Sequence, residues 1–340
     1  MRQQGNGKET SAKMLAACAL TVLLWSRGAA AGEQPHLERI QTIQLKGPDG
    51  RLDHMALDAE RGRLFVANMA NSSLDIVDLR KGTLLKQMPG QKGIQGIAYA
   101  ADLNRIFVGV GEVGVCNAFD GGDLSLLKSW PFPDADNVHY EPRTQRIYVA
   151  HAEKALAVIN AKSLEVLADI KLPGSPESFQ LAKERPRLYL NTPKPSQVAV
   201  IDTETDKVID RYRLTLAQDN YPMALDEADR RIFIGCRRKP VIVVLDSESG
   251  REITAVPIPG DSDDVFFDAK RKCIYASCGA GFIAVIRQID PDRYEMLEKI
   301  PTVKVARTSL FDPESGRLYL IVPKHGDKPG PEVWVYQARP

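Results

Sequence analysis

A short apolar run, Leu64-Phe65-Val66-Ala67, constrains this chain more than any other feature, because it is written seven times. Its first residues stand at Leu64, Ile106, Ile147, Leu188, Ile232, Ile274 and Leu318, spaced 42, 41, 41, 44, 42 and 44 apart. An arginine precedes every copy except the sixth, where Cys273 stands. Around each run lie other short apolar stretches, broken by Gly, Asn, Asp and Ser, which is the pattern of brief strands and tight turns. In the first unit these are Met55–Leu57, Leu64–Ala67, Leu74–Val77 and Thr83–Met88. Strand-built repeats of roughly 40–50 residues are the mark of a propeller, whose units bury their faces only against neighbours. The expected fold is all-β: a seven-bladed β-propeller of four-stranded blades.

The chain ends say how the ring closes. The seventh unit finishes its third strand near Tyr336 and has no fourth. Upstream of the first unit, Leu37–Leu45 reads as a strand without partners of its own. It is expected to complete the last blade, which removes an open sheet edge. No composition break divides the chain, so residues 33–340 are taken as one domain. Residues 1–31 read as a signal peptide: Lys8 and Lys13 precede an apolar run from Met14 to Trp25, and Ala29-Ala30-Ala31 offers a cleavage site. That run is too short to span a bilayer. The expected location is therefore periplasmic or secreted. Cys18 lies in that leader. Cys116, Cys236, Cys273 and Cys278 have no zinc-type spacing. Export permits disulfides, and whether Cys236 and Cys278, equivalent in adjacent repeats, can pair is left open.

With the leader removed, the formal charge moves from +1 to −2. Such a balance does not suit binding nucleic acid through charge. Arg237-Arg238-Lys239 is read as a solvated loop. The residues that follow the third strands, Asp78, Asp120, Asn160, Asp202 and Asp246, are read as turn initiators, since Asp and Asn bond the backbone two residues on.

The Arg-Leu-Phe/Tyr-Val-Ala core, with a Val-x-Val-Ile-Asp third strand as at Val198–Asp202, resembles the YVTN-type propellers of the YncE family. The resemblance covers essentially the whole mature chain and implies an exported bacterial seven-bladed propeller. Its motifs build blades, so they imply architecture and leave the chemistry open. Propellers with similar blades include lactonase-type hydrolases, the heavy subunit of methylamine dehydrogenase and the haem d1 domain of nitrite reductase.

Aligning the repeats locates a candidate site. Eleven residues before each run stand Asp53, Gln95, Asp136, Glu177, Tyr221, Asp263 and Arg307, all able to hydrogen-bond. The next column holds His54, Asn137, Ser178, Asp264 and Thr308, and the one after it is almost wholly apolar. These segments lead into the inner strands and face the upper mouth of the central channel. Simple solvation is one account of the ring. The other is a binding site, because clustered carboxylates repel unless a cation or proton sits between them. The expected ligand-binding set is Asp53, His54, Asp136, Asn137, Glu177, Tyr221, Asp263, Asp264 and Arg307. Oxygen donors suit calcium or magnesium, and the lactonase resemblance implies Asn137, Glu177 and Asp263 as metal candidates. Of the histidines, His54, His139, His151 and His325 fall towards the same face, and His54 could meet His325 in the closed ring. Gly109-Val110-Gly111 and Gly279-Ala280-Gly281 are read as loops between strands two and three.

Three functions remain in play. The first is a monomeric exported propeller binding a small polar ligand or periplasmic protein at the mouth. The second is a divalent-metal hydrolase of lactone type, with Glu177 or Asp263 as base. The third is an accessory subunit of a periplasmic redox enzyme.

Overall fold

Each repeat folds into one four-stranded antiparallel sheet, giving seven sheets. The computed structural model describes residues 35–339; the expected leader at 1–31, with Cys18, lies outside them. The first blade runs outward through Met55–Asp58, Arg63–Asn68, Ser73–Asp78 and Thr83–Pro89. Its second and third strands are almost wholly buried, whereas its outer strand is half exposed. Strands covered on both faces have no polar side to show, which explains their near-continuous apolar runs.

Packing follows the alternation of strand side chains. Phe65 and Ala67 face the second blade, with Ile97, Ile106 and Val108. Leu64 and Val66 point the other way, into the last blade. The same arrangement yields seven apolar clusters, one in each seam between neighbouring blades.

The closing strand lies where the chain ends require it. Leu37–Gln44 pairs antiparallel with Glu332–Ala338, placing Ile43 opposite Val333, and forms the outer strand of the last sheet. The register shifts between Arg39 and Gln41, and the expelled Ile40 is 44% exposed. Ile43 and Leu45, by contrast, are buried in the seam with the first blade.

The turn initiators behave as expected. Asp78, Asp120, Asn160, Asp202 and Asp246 each accept backbone N–H bonds from two and three residues on. Four of the six arginines that open the second strands, Arg63, Arg105, Arg146 and Arg231, act as clamps between blades. Arg63 donates to the Gly121 carbonyl at 2.7 Å, Arg146 to Thr203 at 2.8 Å and Arg231 to Pro291 at 2.8 Å. In the sixth blade, where Cys273 takes the usual place, Arg271 reaches the Arg339 carbonyl instead. Cys116, Cys236, Cys273 and Cys278 are free and buried, and burial pushes the Cys236 and Cys278 thiols up to about 12. Among the described residues, no helix is long and apolar enough to cross a membrane.

If the seam to the first strand holds the ring, Ile43→Ala should cost about 2–5 kcal/mol, the range for emptying a fully buried aliphatic site. Ile40→Ala, on the expelled residue, should stay within about 0.5 kcal/mol. Urea denaturation of both variants checks this; equal losses would remove the special role of the seam.

Candidate functional site at the channel mouth

A regular strand turns alternate side chains to opposite faces, so consecutive residues should not both face one axis. The inner strands escape this rule at their upper ends. Asp53 N donates to Ala67 O, and Ala67 N donates to His54 O, so two residues oppose one. The same pair of bonds sets Asp136 and Asn137 against Ala150, and Glu177 and Ser178 against Asn191. Register shifts fall at the matching place in the second, fifth and sixth blades. Bulges re-aim side chains, and here they let two adjacent columns of residues reach the axis.

Two connected spaces result. A small cavity of about 20 Å³ is lined by Asp53, His54, Asp136, Asn137, Glu177, Tyr221 and Asp263, with Arg51 and Ser178. Below it runs a channel of about 570 Å³, lined by Met55, Ile97, Val138, Met223 and Val265 and by the polar His139, Gln180 and Asp264. His54, Asn137 and Ser178 border both. The ring is thus a polar collar over a largely apolar shaft. Seven of the nine expected residues line the small cavity, Asp264 faces the channel, and Arg307 stands behind Asp263. Gln95, equivalent to Asp53 by repeat position, turns instead to donate to Asp134.

The collar has two unlike halves. On the fifth to seventh blades, charge is matched. Arg307 Nε lies 3.0 Å from Asp263 Oδ2 and its Nη1 lies 2.6 Å from Asp261. Arg237 pairs with Asp263 from the other side, and its guanidinium lies 3.9 Å from the centre of the Tyr221 ring. Arg237 therefore does not sit in a solvated loop. It belongs to the second strand Arg231–Arg238, and its position, one past the Cys236 column, was the signal that it ends on the mouth. Both Asp263 oxygens face arginines, which leaves Asn137 and Glu177 without the third donor expected of them.

On the first, third and fourth blades, acids outnumber bases. His54 Nε2 lies 3.8 Å from Asp53 Oδ1 and 3.6 Å from Asp136 Oδ1. Both distances are too long for hydrogen bonds. Arg51 Nη2 stands 2.7 Å from Asp53 Oδ2 but without hydrogen-bond alignment, and that oxygen and Asp136 Oδ1 are buried without a hydrogen-bond partner. Burial, opposed by His54 but reinforced by Asp136, pushes Asp53 up to about 7. Burial, with Asp136 and Asp263 adding repulsion, pushes Glu177 up to about 8. Burial likewise raises Asp264 to about 8. Burial disfavours the His54 cation, but Asp136, Asp53 and Asp264 outweigh it and hold its pKa well above the usual imidazole range. Asp136 is held below the usual carboxylate range, since His54 and the arginines more than offset its burial.

A contact from blade one to blade three must cross blade two. That blade places Gly96 where its neighbours carry His54 and Asn137. A Cβ at Gly96 would stand 2.0 Å from the Asp136 carbonyl oxygen, and one at Gly109 would stand 1.8 Å from the Ala135 carbonyl. Gly109 lies within the strand Arg105–Val110, not in the loop expected for it. The two glycines let the Asp136 backbone settle against the second blade, within reach of His54.

The other histidines separate from the site. His139 lines the channel, packs tilted against Phe179 with ring centres 4.2 Å apart, and is pushed down to about 4 by burial, so it is neutral at pH 7. His151 is buried against Asp169 at 2.9 Å. His325 packs on Trp334 beside Glu332 and lines neither space, so the expected His54–His325 pairing is replaced by His54 with Asp53 and Asp136.

No family model and no curated protein matches the chain. Solved structures similar to it include Kuenenia stuttgartiensis hydrazine synthase, at 15% identity and TM-score 0.70 over 83% of this chain and 95% of that one. The WD40 repeats of RRP9 align at 11% identity and TM-score 0.75, over 88% of this chain and 98% of that one. U3-55K aligns at 11% identity and TM-score 0.74 over the same shares. At these identities the likeness is one of fold: the chain is a seven-bladed β-propeller.

Gly96→Ala should destabilise the fold by about 1–3 kcal/mol, because a backbone carbonyl must move to admit one methyl group; a denaturation midpoint equal to wild type would contradict the close approach. The raised acids also fix a pH trend. A carboxyl whose folded pKa lies above its unfolded value contributes stability below the unfolded pKa and loses it as pH rises through the folded one. For Glu177 that window runs from about 4.5 to about 8. The Tm in a chelated buffer should therefore fall between pH 6 and 9, and Glu177→Gln should fall less. A Tm that rises over this range, or an unchanged slope in the variant, would contradict the assignment.

Proposed function

We propose that the protein is a binding propeller whose upper channel mouth takes a small positively charged species, an ion or the cationic end of a small molecule. One observation carries the reading. Asp53, Asp136 and Glu177, with Asp264 just beneath, face a common space whose lining bases are His54 and the half-exposed Arg51, while the opposite half of the collar is already neutralised. Desolvated carboxylates without counter-charge are costly, and a bound cation removes that cost. Perturbed acids gathered at the end of a roomy channel are also what a binding site presents more often than a merely structural network. Solvation alone would not favour burying Asp53, whose side chain is 1% exposed.

The shaft below offers room for the apolar body of a ligand, so the mouth can serve as its polar anchor. The resemblance to exported YVTN-type propellers supports placing this binding outside the cytoplasm, and the small cavity favours a low-molecular-weight ligand over a protein partner. The lactonase-type hydrolase is the weaker reading, because the two arginines on Asp263 compete with any metal there.

Thermal-shift measurements at pH 7.5 test the reading with Zn²⁺, Mn²⁺, Ca²⁺, putrescine, choline and L-arginine, against acetate and citrate. At least one cation should raise the Tm of the wild-type protein, and the shift should vanish in Asp53→Asn/Glu177→Gln; anions should do nothing. No shift with any cation, or an undiminished shift in the double variant, would overturn it.

A further inference from the structure

The acid-rich half of the collar has the shape of a more specific site. We propose that Asp53, His54 and Asp136 bind a divalent transition metal ion of the zinc class, with one coordination position left open towards the channel. The proposal rests on the cation-binding reading above and names the cation.

The geometry comes first. His54 Nε2 and one oxygen from each carboxylate lie within 4.8 Å of one another. The two distances from the imidazole nitrogen are 3.6 and 3.8 Å. These are too long for hydrogen bonds and too short for separately solvated groups. A tetrahedral ion with bonds of about 2.0–2.1 Å sets its ligand atoms about 3.3 Å apart. The two nitrogen–oxygen spacings are a few tenths of an ångström wider than that, so a slight turn of His54 towards the carboxylates closes them.

A second observation points to an occupant. Asp136 Oδ1 is buried and has no hydrogen-bond partner, and Oδ2 of the 1% exposed Asp53 has no aligned donor, only the Arg51 guanidinium 2.7 Å away. Buried polar atoms are almost always satisfied, so the unpartnered Asp136 oxygen bordering this space calls for an occupant. That space is about 20 Å³, enough for a single ion or water.

Donor chemistry selects the ion. Calcium takes six to eight oxygens, and magnesium an octahedral oxygen shell with several waters. One imidazole with two carboxylates instead suits zinc, cobalt, manganese or iron. Three protein ligands are also one fewer than a structural zinc site uses, which leaves room for an exchangeable fourth ligand. His54 borders both the small cavity and the channel, so the vacant position faces the place from which a small molecule would approach. A carboxylate, hydroxyl or water oxygen is the class of donor that would fill it.

The chain reaches this arrangement by departing from its own repeat. The second blade presents Gly96 between the ligands, so the first and third blades meet across it. The sixth blade holds Asp264 beneath His54, its Oδ2 accepting from Ser309 N at 2.7 Å.

The test uses the full mature chain, stripped with EDTA and dialysed. Titration with Co²⁺ should give one saturable equivalent with the intense visible bands of a low-coordinate cobalt site. Zn²⁺ should displace it stoichiometrically, and a large excess of Ca²⁺ should not. His54→Ala and Asp136→Asn should each lose the bands and the saturable binding, whereas His325→Ala should keep both. Circular dichroism melts establish that each variant is folded. Should His54→Ala not fold, His54→Gln serves, with the same loss expected. Unsaturable cobalt uptake, bands that survive in a folded His54 variant, or calcium displacing cobalt would overturn the proposal. If organic cations shift the Tm while no transition metal binds, the metal assignment fails and the cation-binding reading stands.

Discussion

Two apolar faces on every sheet force this molecule to be a ring. A stack of such sheets leaves one greasy face bare at each end, and only closure covers both. The chain closes with a strand from its own start, so Leu37–Gln44 lies on Glu332–Ala338 and Ile43 seals the seam with the first blade. Main-chain bonds within the last sheet and apolar contacts across the seam therefore hold the same joint. The arginine clamps, each reaching a carbonyl on the next blade, tie the rim without depending on side-chain packing.

Closure has an electrostatic consequence. The segments leading into the inner strands are brought to one axis, whatever charge they carry. Two acids at the mouth of an open sheet could stay apart in water; here they cannot. The chain answers in two ways. On the fifth to seventh blades it supplies Arg237 and Arg307, so Asp261 and Asp263 are paired and Tyr221 is covered. On the first, third and fourth blades it supplies one histidine and one half-exposed arginine for three acids. Burial, with neighbouring acids adding repulsion, raises the carboxyls of Asp53 and Glu177. A fold indifferent to what binds it would have spread the arginines evenly.

The blades were legible in the sequence because they repeat: a pattern written seven times averages out local ambiguity, and even the closing strand followed from a missing fourth strand at Tyr336. The mouth was legible as a set of columns, since repeats in register must place equivalent residues at equivalent heights. What the columns could not supply was direction. They put Asp136 and Asp263 on the same footing, yet one is orphaned and the other doubly paired. Arg237 was lost to a loop because its neighbours Arg238 and Lys239 resemble a solvated run, although its register with Cys236 put it at the mouth. The contact of His54 with Asp136 was hidden for a different reason: it skips a blade, and adjacency along the ring suggested His325 instead.

That skipped blade shows where the specificity of a repeat protein resides. Symmetry makes seven equal positions; a site needs unequal ones. Gly96 achieves this by subtraction. It carries nothing to the axis, and the missing side chain is filled by the backbone of the third blade, 2.0 Å from where a Cβ would stand. A histidine and a carboxylate that the ring order separates are thereby brought to 3.6 Å. Restoring any side chain at Gly96 would make the second blade more like its neighbours and push Asp136 away from His54. The departure from the repeat, not the repeat itself, thus sets the distance on which the chemistry of the mouth depends.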